Sequence, residues 1–226
     1  MSHPTDQTAY WDRSAASKTF AHPLDHDRFV RAVPRDGAIL DYGCGPGRLC
    51  HELTQLGFTD VHGADSSSAM IQAARVRYPD LRFTNVDGRA LPFPDASQSA
   101  VLLFAVLTCI PSPDDQRQLI AQIHRVLRPG GLLLVSDYPL QSDPRNLDRY
   151  KRFVGEFGLY GTFRLVDGAV VRHHPVEWFQ QLFAAFTLEA CVERDTVTMN
   201  GNPARILQWW ATRPGLPADP AAPPIR

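Results

Sequence analysis

Ala38-Ile39-Leu40-Asp41-Tyr42-Gly43-Cys44-Gly45-Pro46-Gly47 is a buried strand running into a glycine turn. Three apolar residues lead to an acid, and glycines then stand at alternate positions, so the backbone of the turn can approach a ligand closely. The helix expected from Arg48 to about Leu56 aims its unpaired N–H groups over that turn, which suits a phosphate or a carboxylate. Glycine spacing separates the possible ligands. A dinucleotide fingerprint, Gly-x-Gly-x-x-Gly, counted from Gly43 puts its last glycine at Arg48. A phosphate loop fails as well, because no Gly-Lys-Ser/Thr follows.

Around this turn, short apolar runs alternate with helical patterns, the signature of an α/β fold with a parallel sheet and helices on both faces. Strands are expected near 38–41, 60–64, 82–85, 100–105, 131–136, 188–194 and 205–211. Helices are expected near 47–56, 67–77, 114–127 and 175–186. Leu119, Ile123, Val126 and Leu127 carry the spacing of an amphipathic helix; Asp114 or Asp115 is its expected cap, and Arg128-Pro129-Gly130-Gly131 its stop.

At 226 residues and 44% hydrophobic content, the chain can bury a full core and is most economically one domain. Its 23 basic and 24 acidic residues leave a formal net charge of −1, so no global field recruits nucleic acid. No apolar run reaches the roughly 18 to 20 residues of a membrane span, and Met1-Ser2-His3-Pro4 begins no secretory signal. A cytoplasmic protein, monomeric or homodimeric and without a membrane partner, is expected. Cys44, Cys50, Cys109 and Cys191 form no Cys-x-x-Cys pair, which argues against a zinc site and, in a reducing compartment, against disulfides. No metal is expected.

Asp-x-Gly-x-Gly-x-Gly, at Asp41, Gly43, Gly45 and Gly47, resembles motif I of the class I S-adenosylmethionine-dependent methyltransferases. Gly63, Asp65, Ser67 and Met70 match the Gly-x-Asp-x-Ser-x-x-Met of that family. Asp87-Gly88-Arg89-Ala90-Leu91-Pro92-Phe93 and Arg125-Val126-Leu127-Arg128-Pro129-Gly130-Gly131 are similar to two further family runs. The resemblance implies a Rossmann-like, seven-stranded, mostly parallel sheet with its last strand antiparallel and ligands at the carboxyl edge. It implies that the glycine turn, with Cys44, passes under the methionine part of the cofactor. Asp65, flanked by Ser66 and Met70, would accept from the ribose diol; Asp87 would accept from the adenine amino group, with Gly88 and Arg89 beside it. Phe104 and Ala105 would face the methionine. Plainer roles stand beside these: a helix N-cap for Asp65, a turn pair for Asp87-Gly88, core packing for Phe104.

The implied activity is transfer of the methyl group of S-adenosylmethionine to a small-molecule acceptor, releasing S-adenosylhomocysteine. Two departures, Gln98-Ser99 where the family has Phe-Asp and Thr108-Cys109 where it often has a histidine pair, keep open a non-catalytic cofactor-binding sensor. A nucleic-acid methyltransferase is disfavoured, since Phe104-Ala105-Val106-Leu107 stands where such enzymes carry Asp/Asn/Ser-Pro-Pro-Tyr/Phe.

Outside the domain at 36–212 lie residues 1–35, read as a lid, and a Pro-rich tail at 213–226; residues 138–174 form an insertion read as a substrate cap. Methyl transfer needs alignment and, for a hydroxyl, a base. The candidates are His173 and His174, of which at most one enters the site because neighbours point apart, with Asp137 and Tyr138. Tyr10, Trp11, Lys18, His22, Cys109 and Tyr160 are candidates for the acceptor side, and Tyr10-Trp11 could present aromatic faces to a sulfonium. Arg145, Arg149, Lys151, Arg152, Arg164 and Arg172 crowd the insertion. They either attract an acidic substrate or form a solvated helix face.

Overall fold

The computed structural model describes residues 7–14, 22–87 and 90–215. Its main sheet has seven strands, β1 (Ile39–Tyr42), β2 (Val61–Asp65), β3 (Arg82–Asn85), β4 (Gln98–Phe104), β5 (Leu127–Asp137), β8 (Thr187–Val197) and β9 (Pro203–Thr212), in the order β3-β2-β1-β4-β5-β9-β8. Only β9 runs antiparallel to its neighbours β5 and β8. A separate antiparallel pair, β6 (Thr162–Arg164) and β7 (Val170–Arg172), belongs to the insertion.

Period-two alternation splits the central strands between two cores. Leu40, Val101, Leu103, Leu133, Val135 and Trp209 meet α5 (Pro113–Val126) and α7 (Val176–Leu182) on one face. Ile39, Ala100, Leu102, Leu132, Leu134 and Trp210 meet α2 (His26–Ala32), α3 (Arg48–Gln55) and α4 (Ser68–Arg77) on the other. Both faces are covered, as the apolar strand sequences require. The register sets Asp41 level with Gly63 and Asp65 level with Asn85, so the acids of β1 and β2 emerge at one carboxyl edge.

Local chemistry corrects two boundaries. Ser112, not Asp114 or Asp115, caps α5, its Oγ accepting from the Asp115 N–H at 3.3 Å, with Pro113 at the first helical position. Ser67 caps α4, accepting from the Met70 N–H at 3.1 Å, which frees Asp65 from that duty.

Two features of the terminal segments lie outside a simple lid and tail. Phe29 and Val33 are buried in the core under α2, so the covering part of the N-terminal segment is α1 (Thr8–Ser14). Arg213 continues the β9 pairing through Gly130 and Gly131; the rest of the tail from 216, and Lys18, lie outside the described residues.

A third apolar cluster joins α1 to the insertion. Tyr10 packs with Tyr150 of α6 (Pro144–Phe157), Phe163, Ala169 and Val171, with Trp11 and Phe153 at its margin. The Tyr10 hydroxyl donates to Asp167 at 2.8 Å and the Val170 N–H to Gln7 Oε1 at 2.8 Å. On its other side α1 reaches the sheet domain, where Asp12 accepts from Ser67 Oγ (2.7 Å) and from the Ala69 N–H (3.1 Å). Segment and insertion therefore form one cap.

Candidate functional site

A cavity of about 770 Å³ opens at the carboxyl edge of β1, β2 and β4. Its floor is the glycine turn. Gly43 has φ +74, and a Cβ there would stand 2.5 Å from Val106 Cγ2, so only glycine lets the turn pass beneath. Asp41, Cys44, Gly45, Ser66, Met70 and Phe104 line the same space. Gly47 does not: with φ +84 it forms the N-cap of α3, close against Phe83.

Two carboxylates reach the cavity from neighbouring strand ends, Asp65 as the last residue of β2 and Asp87 just after β3. Asp65 accepts from the Gly45 N–H (2.9 Å) and the Ser67 N–H (2.8 Å), which fixes its plane against the turn and leaves lone pairs on both oxygens. Burial pushes its pKa up. Asp41 is deeper: the Cys50 thiol donates to it at 3.4 Å and burial raises its pKa to about 7. Gly88 and Arg89 lie outside the described residues.

A second cavity, also about 770 Å³, lies under the cap. Trp11, Ala105 and Cys109 line both cavities and so form the wall between them. Ala105 there adopts φ +57, a left-handed conformation uncommon outside glycine, held by its N–H donating to the Ser136 carbonyl at 2.8 Å. The Cys109 thiol donates to the Ala105 carbonyl at 3.2 Å, and burial pushes its pKa well up, so it rests as a thiol.

His22, Tyr138 and His173 line the second cavity. His22 is 3% exposed. Its Nδ1 lies 3.0 Å from the Ser136 carbonyl, which can only accept, so Nδ1 carries the proton and Nε2 presents a lone pair. Nε2 is buried with no hydrogen-bond partner among the described residues. Burial lowers the His22 pKa to about 4, so the ring is neutral near pH 7. Arg48 fastens the backbone, donating to the His22 carbonyl at 2.9 Å. His173 differs: the Tyr150 hydroxyl takes a hydrogen bond from the Gln141 N–H and donates its own proton to Nδ1 at 2.5 Å, while burial lowers the histidine to about 3.

Four catalytic or acceptor-side candidates are corrected: Tyr10, Asp137, Tyr160 and His174 line neither cavity. Alternation along β7 sends Val171 and His173 toward the cavity and Arg172 and His174 the other way. His174 is fully buried beside Phe179, its Nε2 2.8 Å from Gln116 Nε2, and it lines neither cavity. Asp137 lines neither cavity: its carboxylate accepts from the Thr108 N–H (3.2 Å) and the Tyr138 N–H (2.8 Å), clamping the 3-10 turn Leu107–Cys109. Tyr160 is 42% exposed, edge-on to Tyr150, and also lines neither. Asp12 and Arg48 were missed, because their partners lie 55 and 26 residues away in sequence. Among the described residues no cluster of three or more His, Cys, Asp or Glu could hold a metal ion, and no helix is long and apolar enough to cross a membrane.

Residues 39–131 match a methyltransferase-domain family. The 27-O-demethylrifamycin SV methyltransferase of Amycolatopsis mediterranei is 32% identical over 157 residues, covering 66% of this chain and 57% of that protein. EEF1A lysine methyltransferase 4 of Mus musculus is 37% identical, over 55% of this chain and 58% of its own length. The chain thus spans about half the length of such curated relatives. A crystal structure of a SAM-dependent methyltransferase from Methanosarcina mazei superposes with a TM-score of 0.79 at 24% identity, covering 88% of this chain and 100% of that one.

Proposed function

We propose that the chain is an S-adenosylmethionine-dependent methyltransferase, which moves the methyl group of that cofactor to a small-molecule acceptor and releases S-adenosylhomocysteine. The observation that carries this is the pair of cavities meeting at Ala105, Cys109 and Trp11. One has the polar equipment for the cofactor and the other room for an acceptor.

The residues of the first cavity fit the cofactor. Asp65 offers acceptor lone pairs to a ribose diol, and Asp87 stands at the next strand end for the adenine amino group. The space over the turn at Gly43 takes the methionine part. When bound, S-adenosylmethionine would supply an electrophilic methyl carbon that an acceptor lone pair could take in line, the broken carbon–sulfur bond leaving its electrons on sulfur.

The chain's own residues align and shield that event. The wall at Ala105 sets where the two ligands meet, and the cap formed by α1 and the insertion keeps water from the acceptor. His22 Nε2 holds the proton of an acceptor hydroxyl or amine. At a pKa of about 4 it leaves that proton in place in the resting complex, takes it as methylation makes the oxygen or nitrogen acidic, and passes it to solvent as the products leave. A cytoplasmic monomer or homodimer completes the proposal, with all four cysteines as thiols.

Calorimetry with S-adenosylhomocysteine tests the first cavity. Wild type should bind, and Asp65→Asn should lose about 1.5 to 3 kcal/mol of affinity. Absence of binding by wild type, or equal affinity in the variant, overturns the placement. Turnover against thiols, phenols, amines and carboxylates then separates an enzyme from a domain that only binds.

A further inference from the structure

One wall of the second cavity is a graded row of side chains. His22, Tyr138, His173 and Phe163 follow one another with ring centroids 4.9, 5.3 and 5.0 Å apart. The guanidinium of Arg149 closes the row, 4.5 Å from the Phe163 centroid. All five line the cavity. The row begins beside Phe104, whose ring lies 6.4 Å from His22 and which lines the cofactor cavity. It therefore runs from the methyl-transfer end to a cationic end.

The charge at that end is directed. Arg145, Arg149 and Arg152 stand at i, i+4 and i+7 of α6, one helix face, and all three line the cavity, whereas Lys151 is exposed and does not. Arg164 lines it too but is engaged by Glu156 at 2.5 Å, and Arg145 lies 3.8 Å from Asp143. Of the acids in the lining, Asp167 accepts from Tyr10, and Asp148 sits on α6 itself. Arg149 and Arg152 have no carboxylate within ion-pairing distance among the described residues; each lies on an aromatic face, Phe163 and Phe153 respectively. A guanidinium held by a ring keeps its planar fork of N–H donors open. Arg149 is half-buried, so an anion beside it meets less solvent screening than on an open helix. Arg172 has no part in this: it is buried on the opposite side, over Trp178.

We propose that the acceptor is an acidic aromatic molecule, its anionic group read by Arg149 and Arg152 and its methyl-accepting hydroxyl or amine held at His22 Nε2. This rests on the assignment of the second cavity to the acceptor. Tyr138, His173 and Phe163 line the space between the two polar ends, where an aromatic ring would pack against them.

The probes are 4-hydroxybenzoate, 4-hydroxyphenylacetate and 4-hydroxyphenylpropionate, each paired with its neutral carboxamide. They are titrated calorimetrically into the protein saturated with S-adenosylhomocysteine. At least one acid should bind about tenfold or more tightly than its amide. The double variant Arg149→Gln/Arg152→Gln should lose that preference at unchanged S-adenosylhomocysteine affinity, which also shows that it folds. Arg117→Gln, at an arginine engaged by Asp114 outside the cavity, should keep it. Amides binding as well as acids, no probe binding at all, or a preference that survives the double variant overturns the inference alone. Failure to bind S-adenosylhomocysteine overturns the cofactor assignment beneath it.

Discussion

The floor of the first cavity and the cap over the second are built by opposite means. The floor is local: four strand ends and the turn at 43–47, with hydrogen bonds such as Gly45 to Asp65 running between adjacent strand ends. The cap is assembled from distant pieces. Tyr10 reaches Asp167 across 157 residues, Val170 reaches Gln7 across 163, and His22 reaches Ser136 across 114. A floor made of backbone tolerates almost no side-chain change. A cap made of side chains can change its specificity without disturbing the sheet.

The largest expected effect therefore falls on the floor. Gly43→Ala forces alanine into a left-handed backbone, at a cost of roughly 1 to 2 kcal/mol, and drives its Cβ to 2.5 Å from Val106 Cγ2. Since Val106 leads into the turn that Asp137 clamps, both cavities feel the shift. S-adenosylhomocysteine affinity should fall more than about 100-fold, with a lower Tm. Wild-type affinity in Gly43→Ala would mean that the cofactor does not lie over this turn.

The same contrast explains what the sequence conveys. The positions of the strands follow from alternation and spacing, which a single chain displays, whereas the seven-stranded order and the roles given to the acids at 65 and 87 come from the family resemblance. Ser67 as the cap of α4, rather than Asp65, needed only the observation that Asp65 ends a strand. The pair at 173 and 174 was half legible: alternation says that the two diverge, but not which one meets the cavity, because β7 is placed by its partner β6 and by the Gly161 carbonyl that accepts from the His173 N–H. Asp137 looked catalytic because it ends β5. Its carboxylate instead serves backbone donors of the turn after β4, a pairing that only the folded sheet creates. The arginines of the insertion acquire meaning once α6 is seen to set three of them along the rim of the second cavity.

A middle-sized effect is expected at His22, where the floor meets the cap. His22→Gln should lower turnover by roughly 100-fold and leave S-adenosylhomocysteine affinity unchanged. Stability supplies a second readout. The folded His22 pKa, about 4, lies below the unfolded value near 6.5, so between these values the unfolded chain binds the extra proton. Its contribution to stability is complete above about 6.5 and is lost as pH falls toward 4, with a limiting slope of about 1.4 kcal/mol per pH unit. Asp41 and Asp137, raised to about 7 by burial, act in the opposite sense, but they are common to both proteins and cancel in the difference. Denaturant titrations should show the gap between wild type and His22→Gln narrowing from pH 7 to pH 4. A constant gap would mean that the ring titrates in the folded protein as it does in the unfolded chain.

The smallest effect separates the two sides of α1. Tyr10 faces the cap through Asp167, and Asp12, two residues on, faces the floor through Ser67 and the first turn of α4. Hydrogen bonds to Ser67 and Ala69 hold the Asp12 carboxyl below its ordinary pKa, so it remains an acceptor near neutral pH. Tyr10→Phe removes one hydroxyl from a partly buried contact, about 0.5 to 1.5 kcal/mol, and should raise the acceptor KM a few-fold at unchanged cofactor affinity. Asp12→Asn should do the reverse, weakening S-adenosylhomocysteine by loosening the segment that follows Asp65 while sparing acceptor KM. Parallel losses in both variants would show that α1 acts as one rigid strap, because a change at either side would then be felt equally at the other.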